Sequence, residues 1–253
     1  MGLFDGIKAE LEGRKAYALH SQAQRLYEQD KPAEARAKHD EALATYEHAI
    51  AMGCAKPQYL MGYGVLLLRY GRFDEAHDIF LKCEHSSLLS KEEKPRLRVN
   101  FAIAQWKRGE LDSAIEQLRY ALDQGKTGLI YGTLGYVLIE KARQTGDFTE
   151  AIAFNNEALD YDDEDAVVLD NMGQMYLSMG DKDKALEYFT KAHEQKPKQV
   201  DTLYYLATLA AERGEKDKAL EYLDTALNGN YSALCTTTRE QAMTLKEKLG
   251  GKE

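Results

Sequence analysis

Few stretches of this sequence have residue types and spacing suited to chemistry. QGKTG at 124–128 has the lysine and threonine that end a phosphate-binding loop. That loop's first glycine would have to fall on Tyr120, and no strand precedes it, so a turn between helices is the better account. DYDDED at 160–165 invites a calcium reading, but Asp165 stands where the loop needs glycine and Asn171 where it needs glutamate. Acidic residues before a helix favour its dipole, and these read as the cap of a helix beginning near 166. The six histidines, His20, His39, His48, His77, His85 and His193, contain no pair at i, i+4, and Cys83 with His85 is too little for zinc. No Gly-x-Ser-x-Gly elbow is present. The expectation is a chain with no catalytic residues, no metal and no cofactor.

Composition narrows the partner class. The 33 basic residues against 42 acidic ones give a formal charge of −9, the wrong sign for a phosphate-binding footprint, so no nucleic acid is expected. The N-terminus MGLFDGIKAELEGRK lacks a basic region followed by an apolar run, and no stretch of about 18 apolar residues occurs, so neither a secretory signal nor a membrane span is expected. Three widely spaced cysteines, Cys54, Cys83 and Cys235, fit a reducing, cytoplasmic setting better than a disulfide framework. With only four prolines and abundant Ala, Leu, Glu, Lys and Tyr, the chain favours helices.

Organisation appears as self-similarity. GDKDKALEYFTKA at 180 and GEKDKALEYLDTA at 214 share nine of thirteen residues at a spacing of 34. Their core, Gly then Ala five residues on, recurs as GRFDEA at 71, GELDSA at 109 and GDFTEA at 146. Gly71, Gly109, Gly146, Gly180 and Gly214 can take the left-handed conformation that ends a helix, and Asp74, Asp112, Thr149, Asp183 and Asp217 are placed to cap the next one. The second helices carry a small–large–small seam: Ala76, Phe80, Cys83; Ala114, Leu118, Ala121; Ala185, Phe189, Ala192; Ala219, Leu223, Ala226. Asn155 breaks it between Ala151 and Ala158.

Residues 166–199, with Leu169, Met172, Gly173, Tyr176, Ala185, Phe189, Ala192 and Pro197, resemble the 34-residue unit of the tetratricopeptide repeat (TPR) family. The resemblance implies an all-α, right-handed α-solenoid of about six helix-turn-helix units at about 16–56, 57–94, 95–127, 128–165, 166–199 and 200–233. Residues 1–15, striped by Leu3, Phe4, Ile7 and Leu11, are expected to form an amphipathic N-terminal cap. Residues 234–253 are expected to form a capping helix opened by a Thr237–Glu240 box.

The family likeness implies a stand-alone, bacterial-type adaptor that is a non-enzymatic protein-interaction scaffold, holding a protein or peptide in a concave groove lined by first helices. In this register the groove carries Met61, Val65, Leu68, Val99, Asn100, Ile103, Trp106, Gly132, Tyr136, Asp170, Gln174 and Tyr204. That set reads apolar and aromatic in units two to four, suited to an apolar or amphipathic segment, with a recess expected where Gly132 lacks a side chain near Trp106 and Tyr136. The N-terminal stripe is a rival occupant. The carboxylate-clamp pattern of the family is present only in fragments, Arg96 with Asn100. An assembly or secretion chaperone, or a peptide-sensing regulator, would use the same groove.

Overall fold

The computed structural model describes the backbone of residues 3–250 and the side chains of residues 5–250. Among the described residues the fold is all-α, thirteen helices without strands. The chain divides into two units, residues 1–117 and 118–253. The first holds α1 (Leu3–Glu28), α2 (Pro32–Ala51), α3 (Pro57–Arg69), α4 (Phe73–Glu84), α5 (Lys94–Lys107) and the start of α6 (Leu111–Gln124). The second holds the rest of α6, then α7 (Gly128–Thr145), α8 (Thr149–Tyr161), α9 (Ala166–Ser178), α10 (Lys182–Gln195), α11 (Val200–Glu212), α12 (Lys216–Leu227) and α13 (Arg239–Lys248).

The corners form where the glycines are. Gly71, Gly109, Gly146, Gly180 and Gly214 all have φ between 72° and 87°. At Gly180 the N–H donates to the Leu177 carbonyl and the next N–H, from Asp181, reaches back to Tyr176, so two carbonyls left over at the end of α9 are satisfied. The α1–α2 corner has the same bonds, Asp30 to Tyr27 and Lys31 to Leu26, but places an aspartate at φ 57°. The aspartates expected as caps are not caps. The helices start immediately after these corners, so Asp74, Asp112, Asp183 and Asp217 sit second in their helices and act on the helix dipole. Where a side chain caps α10 it is Asp181, accepting from the Lys184 N–H at 3.1 Å. At the last helix the box is Thr238 with Gln241, one residue beyond the expected pair.

Two helix pairs, α3–α4 and α9–α10, close on a ring lying against a glycine of the partner helix. A Cβ added at Gly64 would stand 2.3 Å from Phe80, and one at Gly173 would stand 2.6 Å from Phe189. Small seam residues flank these rings: Ala76, Cys83, Ala185 and Ala192 have no exposed surface. Unit four replaces the ring with Asn155, whose amide donates to the carbonyls of Gly135 at 3.2 Å and Ala151 at 2.8 Å. A polar side chain survives in the seam because it bonds the backbone that the missing Cβ uncovers.

The N-terminus departs from expectation. Among the described residues no separate cap precedes the first unit: α1 is one helix that lies along α2, burying Ala9, Ala16, Leu19 and Ala23. Ile7 and Leu11 of the expected stripe face outward, 51% and 58% exposed, while the side chains of Leu3 and Phe4 lie outside the described residues. Between α1 and α2, His20 meets His39 edge-on at 5.4 Å. Burial, then the Arg69 charge, lowers His20 to about 4 and His39 to about 3.

The corners and the histidine pair each carry a prediction. Gly173→Ala should cost about 1–3 kcal/mol by overpacking against Phe189, whereas Asp30→Gly should gain about 1 kcal/mol by removing the left-handed penalty. Urea denaturation of both variants checks the signs. Both histidines are neutral in the fold and titrate near 6.5 when unfolded, so their contribution is whole above pH 6.5. It is lost as pH falls from there towards 3–4, by about 1.4 kcal/mol per pH unit for each ring. His39→Leu should flatten the fall in stability between pH 6.5 and 5 by one proton's worth; an unchanged slope would mean His39 is not the titrating group.

Candidate partner-binding face

The first helices of the two units carry the twelve candidate residues. In the first unit, α3 supplies Met61, Val65 and Leu68, and α5 supplies Val99, Asn100, Ile103 and Trp106. In the second, α7 supplies Gly132 and Tyr136, α9 supplies Asp170 and Gln174, and α11 supplies Tyr204. All are buried except Val65, Asn100 and Tyr204, which are half-buried. Trp106 is 7% exposed, with the Lys107 ammonium 3.9 Å from its ring centroid. The space beside Gly132 is not a recess. Val167, from the first turn of α9, fills it, so that an added Cβ would meet Val167 Cγ1 at 2.7 Å.

The second unit instead brings together polar groups. Asp170, 3% exposed, accepts from Thr202 Oγ1 at 2.6 Å and from Gln174 Nε2 at 2.6 Å. Gln174 Nε2 also reaches Thr236 Oγ1 at 3.0 Å, and Arg143 of α7 extends towards Gln174 Oε1 at 3.5 Å. The same guanidinium holds Glu140 at 2.5 Å, the Tyr136 hydroxyl at 3.3 Å and Ser178 Oγ at 2.8 Å. On α11, Asp201 Oδ1 accepts from the N–H groups of Thr236 and Thr237 at 3.0 and 2.8 Å and from the Thr237 hydroxyl at 2.6 Å. Burial first, and the Asp201 charge second, push the Asp170 carboxyl up to about 7, against the hydrogen bonds from Thr202, Gln174 and Gln199. Sequence reasoning finds Asp170 and Gln174 but misses Arg143, Asp201, Thr202, Thr236 and Thr237.

The stretches that resembled catalytic motifs have structural roles. Thr127 caps α7, accepting from the Ile130 N–H at 3.3 Å, and Lys126 lies 3.5 Å from Glu157. Asp165 caps α9 through the N–H groups of Val167 and Val168. Among the described residues no three His, Cys, Asp or Glu side chains converge as metal ligands, and no described helix is long and apolar enough to cross a membrane.

Tetratricopeptide repeat models match residues 20–82, 99–166 and 176–232, covering most of the chain. The chain belongs to the tetratricopeptide repeat family. Among curated TPR relatives, a photosystem I assembly protein Ycf3 of Prochlorococcus marinus is 39% identical over 82 residues, covering 31% of this chain and 44% of that protein. Ycf3 of Acaryochloris marina is 35% identical over 63 residues, covering 25% and 36%. The chain thus spans less than half the length of these relatives. A thermophilic TPR protein of Thermus thermophilus superposes with a TM-score of 0.60 at 22% identity, over 77% of this chain and 97% of that one. The APC/C hetero-tetramer Cut9–Hcn1 gives 0.57 at 15% identity, over 94% and 46%. These two likenesses show the fold alone.

The buried carboxylate of this TPR chain has a pH signature. Asp170 titrates near 3.9 when unfolded and higher in the fold, so its contribution is fully present at low pH and is lost as pH rises through about 7. The charged groups around it are Asp201 on α11 and, through Gln174, Arg143 with its partner Glu140 on α7. Asp170→Asn should therefore become more stable relative to the parent as pH rises from 5 to 8, read by urea denaturation across that range; a constant difference would remove Asp170 as the titrating group.

Proposed function

We propose that this chain is a non-enzymatic scaffold that serves the assembly of a partner protein, holding an apolar or amphipathic segment against its first helices. The observation that carries the reading is the local 39% identity to Ycf3. That exceeds the 15–22% shared with the fold neighbours, and Ycf3 is by name an assembly protein. The family's use of first helices for partners supports the side of contact. The half-buried Val65, Asn100 and Tyr204 are the candidate residues with surface left to offer. Burial of the others confines them to shaping that surface, since a side chain already packed by its own fold adds little new apolar area on binding.

Site-specific photo-crosslinking tests the reading. A benzophenone side chain placed at Val65 or at Tyr204 should capture a discrete partner under native conditions. The same group at Leu81 on α4 or Tyr120 on α6, both exposed on second helices, should not. Capture from the second helices alone would overturn the assignment of the contact face.

A further inference from the structure

Between α12 and α13 the chain runs without helix, from Asn228 to Thr238. This connection lies against the first helices of the second unit. Three donors from it, the main-chain N–H groups of Thr236 and Thr237 and the Thr237 hydroxyl, converge on one oxygen of Asp201 within 3.0 Å. Gln174 Nε2 donates to the Thr236 hydroxyl beside them, and Tyr205 also meets the Thr236 side chain. One carboxylate and one amide thus read two consecutive residues of a non-helical, bent chain, by main chain and by β-hydroxyl. We propose that the α9–α11 wall centred on Asp201 and Gln174 is a receptor for a non-helical segment bearing consecutive Thr or Ser residues, and that residues 229–237 fill it in cis as a displaceable strap. The proposal rests on the reading that first helices hold partners.

The strap is fitted to lie there, and every residue of 229–236 keeps some exposed surface. Gly229 lets it pass close over α11, since a Cβ there would meet Val200 Cγ1 at 2.3 Å. Arg239 ties its start through the Leu227 and Gly229 carbonyls and lies over the Tyr231 ring at 4.7 Å. Beyond Tyr231, Leu234 is 40% exposed and Ala233 and Cys235 are half-buried; Thr237, at 4% exposed, is the one buried residue, and it is polar. A segment retained by hydrogen bonds more than by apolar burial opens locally at a small fraction of the global free energy. The helix after it does not depend on it. α13 keeps its own capping box, packs Ala242, Leu245 and Leu249 on the core of α11 and α12, and pairs Lys246 with Asp224 at 3.2 Å. Both ends of the strap therefore stay fixed while it moves. The tether gives the cis segment an effective concentration on the order of millimolar, so a trans segment must bind more tightly than the strap's own free peptide to replace it.

Hydrogen exchange on the full chain and peptide binding in trans test this together. The Thr236 and Thr237 amides should exchange at least about 100-fold faster than interior amides of α11 such as Leu206, the mark of local opening. The trans probe is a fluorescently labelled peptide of residues 229–238. It should bind a chain whose residues 230–237 are replaced by an equal-length Gly/Ala linker without hydroxyls, at least about tenfold more tightly than it binds the intact chain. Asp201→Asn in the linker chain should weaken that binding at least tenfold. Strap amides that exchange only as fast as those of α11 would overturn the proposal whatever the linker chain does, and so would equal peptide affinity for the linker and intact chains. Crosslinking at Val65 separates the two readings: partner capture there without peptide binding leaves the scaffold standing and removes the strap, while peptide binding with capture only from second helices does the reverse.

Discussion

The α3–α4 and α9–α10 pairs each depend on a ring meeting a helix that has no side chain at the point of contact. Phe80 against Gly64 and Phe189 against Gly173 bring the two helices of a unit together at a distance that any Cβ would prevent. With the ring seated, the small residues on either side, Ala76 with Cys83 and Ala185 with Ala192, can be fully buried. Core packing at organic-crystal density leaves no slack to absorb a misplaced methyl group. The left-handed corner is a consequence as much as a cause. The two helices must reverse within a few residues for the ring to face the gap, and the glycine bonds reported at Gly180 make that reversal without orphaned carbonyls.

These features are local, which is why they can be read from the sequence. A glycine, an alanine five residues on, and a large residue four further are signals within one unit, and the structure places corners and seams where that pattern lies. The pattern misleads where a neighbouring bond decides between adjacent residues. It sets helix starts two residues late because the aspartates look like caps. It sets the last capping box one residue early because Thr237 and Thr238 look alike, and only the bond from Thr237 to Asp201 separates them. The continuity of α1 is not marked by the Leu3, Phe4, Ile7 and Leu11 stripe; it runs through Gly13, a close approach where a Cβ would meet Tyr59 at 2.7 Å.

The candidate face is legible as positions and not as surface. Register assigns Gly132, Asp170 and Gln174 to first helices, and the structure puts them there. Their burial depends on residues with no periodic relation to them: Val167 over Gly132, and Thr236 and Thr237 over the α9–α11 wall. Thr237 and Asp201 are 36 residues apart and belong to no shared pattern, so no periodicity argument could pair them. The buried Asn155 is visible as a broken seam, yet its reason, the uncovered Gly135 carbonyl, is not.

In the second unit, packing and chemistry are carried largely by different helices. The second helices α10 and α12 present seams of alanine with Phe189 or Leu223, apolar throughout. The first helices α7, α9 and α11 present Arg143, Asp170, Gln174, Asp201 and Thr202 to one another and to the 228–238 connection. Well-packed apolar side chains in place of buried charges are often neutral or stabilising, so stability alone does not account for these groups. Their arrangement is selective rather than adhesive. A carboxylate that accepts from two successive N–H groups and a hydroxyl discriminates by geometry and would be left unpaired by a segment lacking those donors. The repeat thus supplies a rigid support from one helix of each pair and leaves the other free to hold polar groups at fixed spacing. On the proposed strap reading, recognition in this unit reads the main chain and hydroxyls of a segment rather than apolar bulk alone.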